Sequence, residues 1–322
     1  MKKALKIGII GTGTHGARYA RHIMNDVPGL ELAAISRRSD EGSRQAQEWG
    51  VTLYRDWRHL LKNSGIDAAI AVTTPNLNME IAEACVEANK PLLIEKPLAV
   101  DAVTAQRIVD LFKQADLPLT VAQTLRYNST ILAFKKEWGR IGHPYAFHAG
   151  HRVEPIRQAW LDDPAIAGGG VIFSTAVHVF DALRFISGRE VKKVRASIFQ
   201  RHTTRLEDLF TAQMEMTGGL VGTVDVCKLT RSRSGRYEFI GENGQIHGDQ
   251  VHGNIEFIDA KTITPLSVES PVSTLIPLLS DWRAFLLGKR ENPIPGEAGL
   301  SAVKVCDACR KSAIEDRWVQ II

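Results

Sequence analysis

Apolar and polar positions follow two regimes along this chain. Up to residue 123, short apolar runs are separated by amphipathic stretches. The runs at 5–10, 31–35, 67–72, 92–94 and 117–123 lack the strict alternation of half-exposed strands and predict strands buried on both faces. The residues after Gly16, 78–89 and 100–115 carry a helical period, and strand and helix in alternation predict a doubly wound parallel sheet with right-handed crossovers. From Pro144 the pattern changes. Strands are expected at 145–151, 191–201, 208–216, 219–228, 236–241 and 255–268 with few helices between them, which predicts an α+β domain on a large, mostly antiparallel open sheet. Helices on only one face of such a sheet would leave the other for a subunit interface, so a homodimer or homotetramer is expected. A helix ending near Trp138, a helical stretch through Ser174, His178 and Asp181, and an amphipathic terminal helix at 297–316 complete the reading.

Chain length agrees with two domains, because 322 residues exceed what one small core accommodates. Hydrophobic residues at 44% and charged residues at 24% are those of an ordinary soluble protein. A formal charge of +4 without a long Lys/Arg block gives no argument for nucleic acid. Lys6 and Gly8 interrupt the first apolar run, leaving no signal-peptide core or membrane span, so a cytoplasmic protein that does not enter the membrane is expected. Cys85 and Cys227 are isolated, and Cys306 and Cys309 form a C-x-x-C inside a helical pattern with no second pair nearby; no metal site is expected.

The first strand runs into Gly11-Thr12-Gly13-Thr14-His15-Gly16, a G-x-G-x-x-G between strand and helix. Gly11 permits the tight turn, Gly13 lets the backbone approach a pyrophosphate, and Gly16 lets helix and strand pack closely, so the region 1–124 is expected to be a dinucleotide-binding Rossmann domain. The second strand ends in Ser36-Arg37-Arg38, where an NAD site commonly has a carboxylate for the ribose hydroxyls. A hydroxyl and two guanidiniums suit a 2′-phosphate instead, which favours NADP(H), with NAD(H) as the alternative cofactor. A plain solvated basic loop is the competing reading.

The run 92–94, bounded by Pro91 and Pro97, ends in Glu95-Lys96-Pro97. Ligands of open α/β sheets bind outside the carboxyl ends of the strands, so Lys96 is a candidate for chemistry, against the alternative of a solvated lysine paired with Glu95. The isomer of the Lys96–Pro97 bond is open. Ser174, His178 and Asp181, spaced by four and three, would lie near one helix face and put a hydroxyl, an imidazole and a carboxylate together, unless the histidine is a satisfied core residue. His148 and His151 face opposite sides of a strand and make a poor metal pair. Arg231 through Arg236 reads first as a solvated loop, and second as a contact for an anionic substrate or a neighbouring subunit.

The glycine motif, Thr73-Thr74-Pro75-Asn76, Glu95-Lys96-Pro97, Arg126-Tyr127, the segment from Trp160 through Gly170, and His178 with Asp181 occur in this order. Together they resemble the Gfo/Idh/MocA family, over nearly the whole chain. The resemblance implies an N-terminal Rossmann domain, 1–124, and a substrate-binding and oligomerisation domain, 125–322. It also implies hydride transfer between a nicotinamide cofactor and a sugar, polyol or related hydroxy or carbonyl compound. By this resemblance Lys96 hydrogen-bonds the reacting oxygen and His178 moves the proton, while Ser174, Asp181, Arg126, Tyr127 and Trp160 are expected at the substrate. The cofactor residues expected are those of the glycine motif, Ser36, Arg37, Arg38, Thr73 through Asn76, Glu95 and Lys96. Two positions depart from the family pattern: Ser174 stands where an acid is usual, and Met79 where a histidine is usual. Ser174 leaves open a non-catalytic NADP(H)-binding sensor, and the resemblance also leaves open a glycosidase-like relative that retains its cofactor.

Overall fold

The computed structural model describes residues 4–62, 65–155, 158–203 and 205–321. They form two compact units, each built on its own sheet. The first takes the chain up to Ala99, Val103–Thr124 and Ser273–Leu300; the second takes Val100–Ala102, Leu125–Val272 and the chain from Ser301 on.

In the first unit the order is β1 (Leu5–Ile10), α1 (Thr14–Asn25), β2 (Leu30–Ser36), α2 (Glu41–Trp49), β3 (Thr52–Tyr54), α3 (Trp57–Leu61), β4 (Ala68–Ala71), α4 (Asn78–Glu87), β5 (Leu92–Glu95), α5 (Ala102–Gln114) and β6 (Leu119–Ala122). All six strands are parallel, in the order β3-β2-β1-β4-β5-β6. Every residue of β4, β5 and β6 is buried, as continuous apolar strands between two helical layers must be. Strand order reverses between β1 and β4, the switch point at which open α/β sheets bind ligands. Helix α1 buries Gly16, Tyr19, Ala20 and Ile23, a spacing that keeps one stripe on the sheet.

In the second unit α6 (Ser129–Glu137) and β7 (Pro144–Arg152) are followed by α7 (Pro164–Ala167), α8 (Val177–Ser187) and the strands β8 (Val191–Phe199), β9 (Leu209–Met216), β10 (Val221–Cys227), β11 (Ser234–Gly241), β12 (Gly244–Asp249), β13 (Asn254–Ile258) and β14 (Ile263–Pro265). With β15 (Val319–Gln320) they make a nine-stranded sheet, β14-β13-β12-β11-β7-β10-β9-β8-β15, antiparallel except for the β7–β10 pair. Alternate residues face inward: Phe210, Ala212, Met214 and Met216 of β9 are buried, as are Tyr237 and Phe239 of β11. Phe134 of α6 meets Tyr237 and Phe239 with ring centroids at 5.9 and 5.7 Å, and Phe180 of α8 meets Phe210 at 5.9 Å. The stretch Pro164–Ser187 is long and apolar enough to cross a membrane, but it is mostly buried here, which is the environment of a core helix.

Several expectations need correction. Residues 273–300, expected in the second domain, belong to the first unit. They contain α9 (Leu275–Leu286), which buries Leu275, Leu278, Leu279 and Trp282, while Ser273 Oγ lies 2.9 Å from His22 Nε2 of α1. They also contain the start of α10 (Gly296–Glu315). The single strand expected at 255–268 is two strands, β13 and β14, separated by a turn in which Asp259 Oδ1 accepts from Lys261 N and Thr262 N at 2.8 and 2.9 Å. Arg231–Arg236 is not all loop: β11 begins at Ser234, and Arg236 pairs with Gly150 of β7. The elements between β2 and β4, together with α9, β12 and β15, were not anticipated.

Candidate active site

The glycine turn is held by the absence of side chains. Gly11 has φ +89° and a Cβ there would stand 2.4 Å from Val72 O; a Cβ on Gly16 would stand 2.0 Å from Gly11 O. A Cβ on Gly13 would meet nothing within 4 Å, so this residue, the N-cap of α1, leaves its side open to a ligand. Open space before the first helical N–H groups fits a pyrophosphate, and the residues present therefore suit a dinucleotide. Thr12 is fully buried. Its Oγ1 donates to Gln45 Oε1 at 2.8 Å, and its carbonyl accepts from Gln45 Nε2 at 3.1 Å and Arg37 Nη1 at 2.8 Å.

The three residues expected at the 2′-position of the adenosine ribose differ in exposure. Ser36 is buried and its carbonyl accepts from Gly11 N at 2.9 Å. Arg37 is half-buried, tied to the glycine turn and to Ser39 Oγ. Arg38 is exposed, and its carbonyl is braced by Arg55 Nη1 at 2.8 Å. After β4, Thr74 is extended and Pro75, buried, opens a short turn Pro75–Leu77, with Asn76 exposed. Asn78 Nδ2 then donates to Pro97 O and Leu98 O, both at 3.1 Å, linking this segment to the end of β5.

There Glu95 is 8% exposed. Its Oε1 accepts from Tyr19 Oη at 2.6 Å and lies 2.7 Å from His15 Nε2; its Oε2 accepts from Lys96 N at 3.1 Å. A carboxylate only accepts, so His15 Nε2 carries the hydrogen. Burial pushes the Glu95 carboxyl up, but the His15 hydrogen bond, the charges of His15 and Lys96, and the Tyr19 hydroxyl together outweigh it and hold it below the ordinary range. Burial, and then the charge of Glu95, push the Tyr19 phenol well up. Lys96 is half-buried and its bond to Pro97 is cis.

In the second unit Arg126 lies on a short turn, Thr124–Tyr127. Its Nε and Nη2 grip Asp181 Oδ2 and Oδ1 at 2.8 and 2.6 Å, and Asp181 is 0% exposed. Asp181, expected at the substrate, is bound by Arg126, as a carboxylate closed off from water requires a partner. Tyr127, Ser174, His178 and Trp160 are half-buried. Ser174 sits in a π turn, Ile172–Ala176, that leads into α8, and its Oγ donates to Gly170 O at 2.6 Å. Trp160 Nε1 donates to Gln158 Oε1 at 2.9 Å. Among the described residues, no group of three or more His, Cys, Asp or Glu side chains could hold a metal ion.

Sequence reasoning missed Tyr19, Gln45, Asn78 and Glu207. The last is buried and accepts Ile172 N at 3.1 Å, bracing the start of the π turn. Of these only Tyr19 had a signal, its place on the buried stripe of α1.

Residues 5–123 match the oxidoreductase family with an NAD-binding Rossmann fold, GFO/IDH/MocA, and residues 136–247 match the GFO/IDH/MocA C-terminal domain. Inositol 2-dehydrogenase 1 of Saccharopolyspora erythraea is 30% identical over 256 residues, spanning 75% of this chain and 73% of the relative. Inositol 2-dehydrogenase of Klebsiella pneumoniae is 26% identical, spanning 96% of this chain and 94% of the relative. The fold is shared with levoglucosan dehydrogenase in complex with NADH, at TM-score 0.89 and 21% identity over 99% of this chain and 100% of that one. It is also shared with an oxidoreductase domain protein from Kribbella flavida, at TM-score 0.90 and 22% identity with the same coverage.

The depressed Glu95 carboxyl makes a prediction with a definite sign. Its stabilisation is fully present above the unfolded value of 4.5 and is lost as pH falls through the lower folded value. Glu95→Gln is expected to cost about 2–3 kcal/mol at pH 7, and the deficit should shrink in urea unfolding below pH 4. A deficit independent of pH would contradict the charged network.

Proposed function

The chain belongs to the GFO/IDH/MocA family of oxidoreductases, and from that premise we propose that it moves a hydride between a nicotinamide dinucleotide, NADP(H) in preference to NAD(H), and a carbinol carbon of a sugar or polyol. The observation that carries this reading is the junction of the glycine turn and the end of β5, where His15 and Tyr19 of α1 meet Glu95 beside Lys96. Relatives named inositol dehydrogenases support a cyclic polyol as the substrate class.

When bound, the dinucleotide supplies the hydride acceptor or donor. The open side of Gly13 and the first N–H groups of α1 would hold its pyrophosphate, with Thr73 through Asn76 and Glu95 bordering the same edge of the sheet. Arg38, exposed, and Arg37, anchored to Thr12, would fork onto a 2′-phosphate. In oxidation His178 would take the hydroxyl proton while the carbinol C–H electron pair leaves as hydride for the acceptor that the bound dinucleotide would supply, the carbinol becoming C=O. The ammonium of Lys96 donates to the oxygen as charge builds on it. Ser174, Tyr127 and Trp160 are assigned to the substrate hydroxyls, and the Arg126–Asp181 pair to holding α8. The face of the nine-stranded sheet turned away from α6 and α8 is assigned to self-association.

Fluorescence titration should show NADPH binding about tenfold or more tighter than NADH, and Arg38→Ala should weaken NADPH alone. Equal binding of the two cofactors would overturn the NADP(H) preference and leave the dehydrogenase reading standing. With myo-inositol and other cyclic polyols as probes, Lys96→Ala should lower turnover by about a thousandfold at nearly unchanged cofactor affinity. Retained turnover would remove Lys96 from its assigned role.

A further inference from the structure

The carboxylate of Glu95 joins two parts of the first unit that have different tasks. Oε2 holds the backbone N–H of Lys96 at 3.1 Å, while Oε1 is held by Tyr19 Oη at 2.6 Å and His15 Nε2 at 2.7 Å. His15 and Tyr19 are four apart on α1, with their rings edge to face at 5.5 Å and 88°. Tyr19 is 0% exposed, and 43% of the His15 side chain remains open to solvent. A carboxylate drawn from one side by two donors, and gripping the lysine backbone on the other, has little freedom to rotate. Of the charged groups around it, Lys96 follows directly after β5, His15 lies on the first turn of α1, and Arg18 beside Tyr19 on the same helix.

We propose that His15 and Tyr19 are positioning residues for Lys96 that act through Glu95. The conformation of the lysine is then set from the helix that begins at the glycine turn, so the cofactor turn and the lysine are built as one piece. The inference uses the role assigned above to Lys96, but its geometric content can be tested without turnover.

The test is the rate at which trinitrobenzenesulfonate labels Lys96 at pH 9 in the full chain, followed by mass spectrometry of its peptide. Melting and NADPH titration confirm that each variant is folded. Tyr19→Phe and His15→Leu should each speed labelling of Lys96 by about threefold or more, and neither should do so in the Glu95→Gln background, since interacting residues give non-additive effects. His15→Gln, which keeps an N–H donor, should remain closer to wild type than His15→Leu. If Glu95→Gln does not fold, the Tyr19→Phe/His15→Leu double variant replaces it and should speed labelling by less than the product of the two single effects. Unchanged labelling, the same acceleration with Glu95→Gln, or a fully multiplicative double variant would overturn the proposal. Active Lys96→Ala enzyme together with non-additive labelling would remove the catalytic assignment and leave the positioning intact.

Discussion

A missing methyl group governs the first unit. With glycine at 16, α1 comes so close to the end of β1 that a Cβ would stand 2.0 Å from Gly11 O. That approach sets the path of α1, and the rest of the helix follows from it: Tyr19, Ala20 and Ile23 turn into the core, and His15 and Tyr19 reach Glu95. A side chain at 16 would lift the helix and break both hydrogen bonds together. The turn therefore does more than leave room for a pyrophosphate; it brings into place the donors that a buried carboxylate beside Lys96 requires.

Buried carboxylates organise the second unit by the same rule. Asp181, closed to solvent, takes both oxygens to the Arg126 fork and so ties the segment before α6 to α8. Asp208 gathers the backbone N–H groups of Arg201, His202 and Thr203 at 2.7–3.1 Å, and Asp249 does so for Gly235, Val251 and His252 at 2.8–3.2 Å. These acids are bound into loops and helices and are not open for proton transfer. His178 and Lys96, to which the proposed proton transfer is assigned, are each half-buried.

Elements whose cause is local could be read directly. Continuous apolar runs announced β1, β4, β5 and β6, and the glycine spacing announced the turn before α1. The stripe of α9, Leu275, Leu278, Leu279 and Trp282, was equally visible, but it follows a long run of strands and nothing in chain order says that it returns to the first core. Arg231 through Arg236 looked like loop because outward positions of a strand are polar; the pairing of Ser234 and Arg236 with β7 outweighs that polarity. The spacing of Ser174, His178 and Asp181 suggested one shared face; the π turn at Ser174 and the Arg126 fork on a fully buried Asp181 are not visible in that spacing. Gln45 and Asn78 act through side-chain hydrogen bonds to residues 33 and about 20 positions away, and such contacts leave no period in the sequence.

Transfer of label tests hydride chemistry most directly. The chain would be incubated with NADP⁺ and cyclic polyols deuterated at their carbinol carbons, and the cofactor examined by mass spectrometry. Reduced cofactor carrying one deuterium from the polyol is the expected result. Cofactor that binds and stays unlabelled with every deuterated polyol and sugar tried would contradict the proposed hydride transfer.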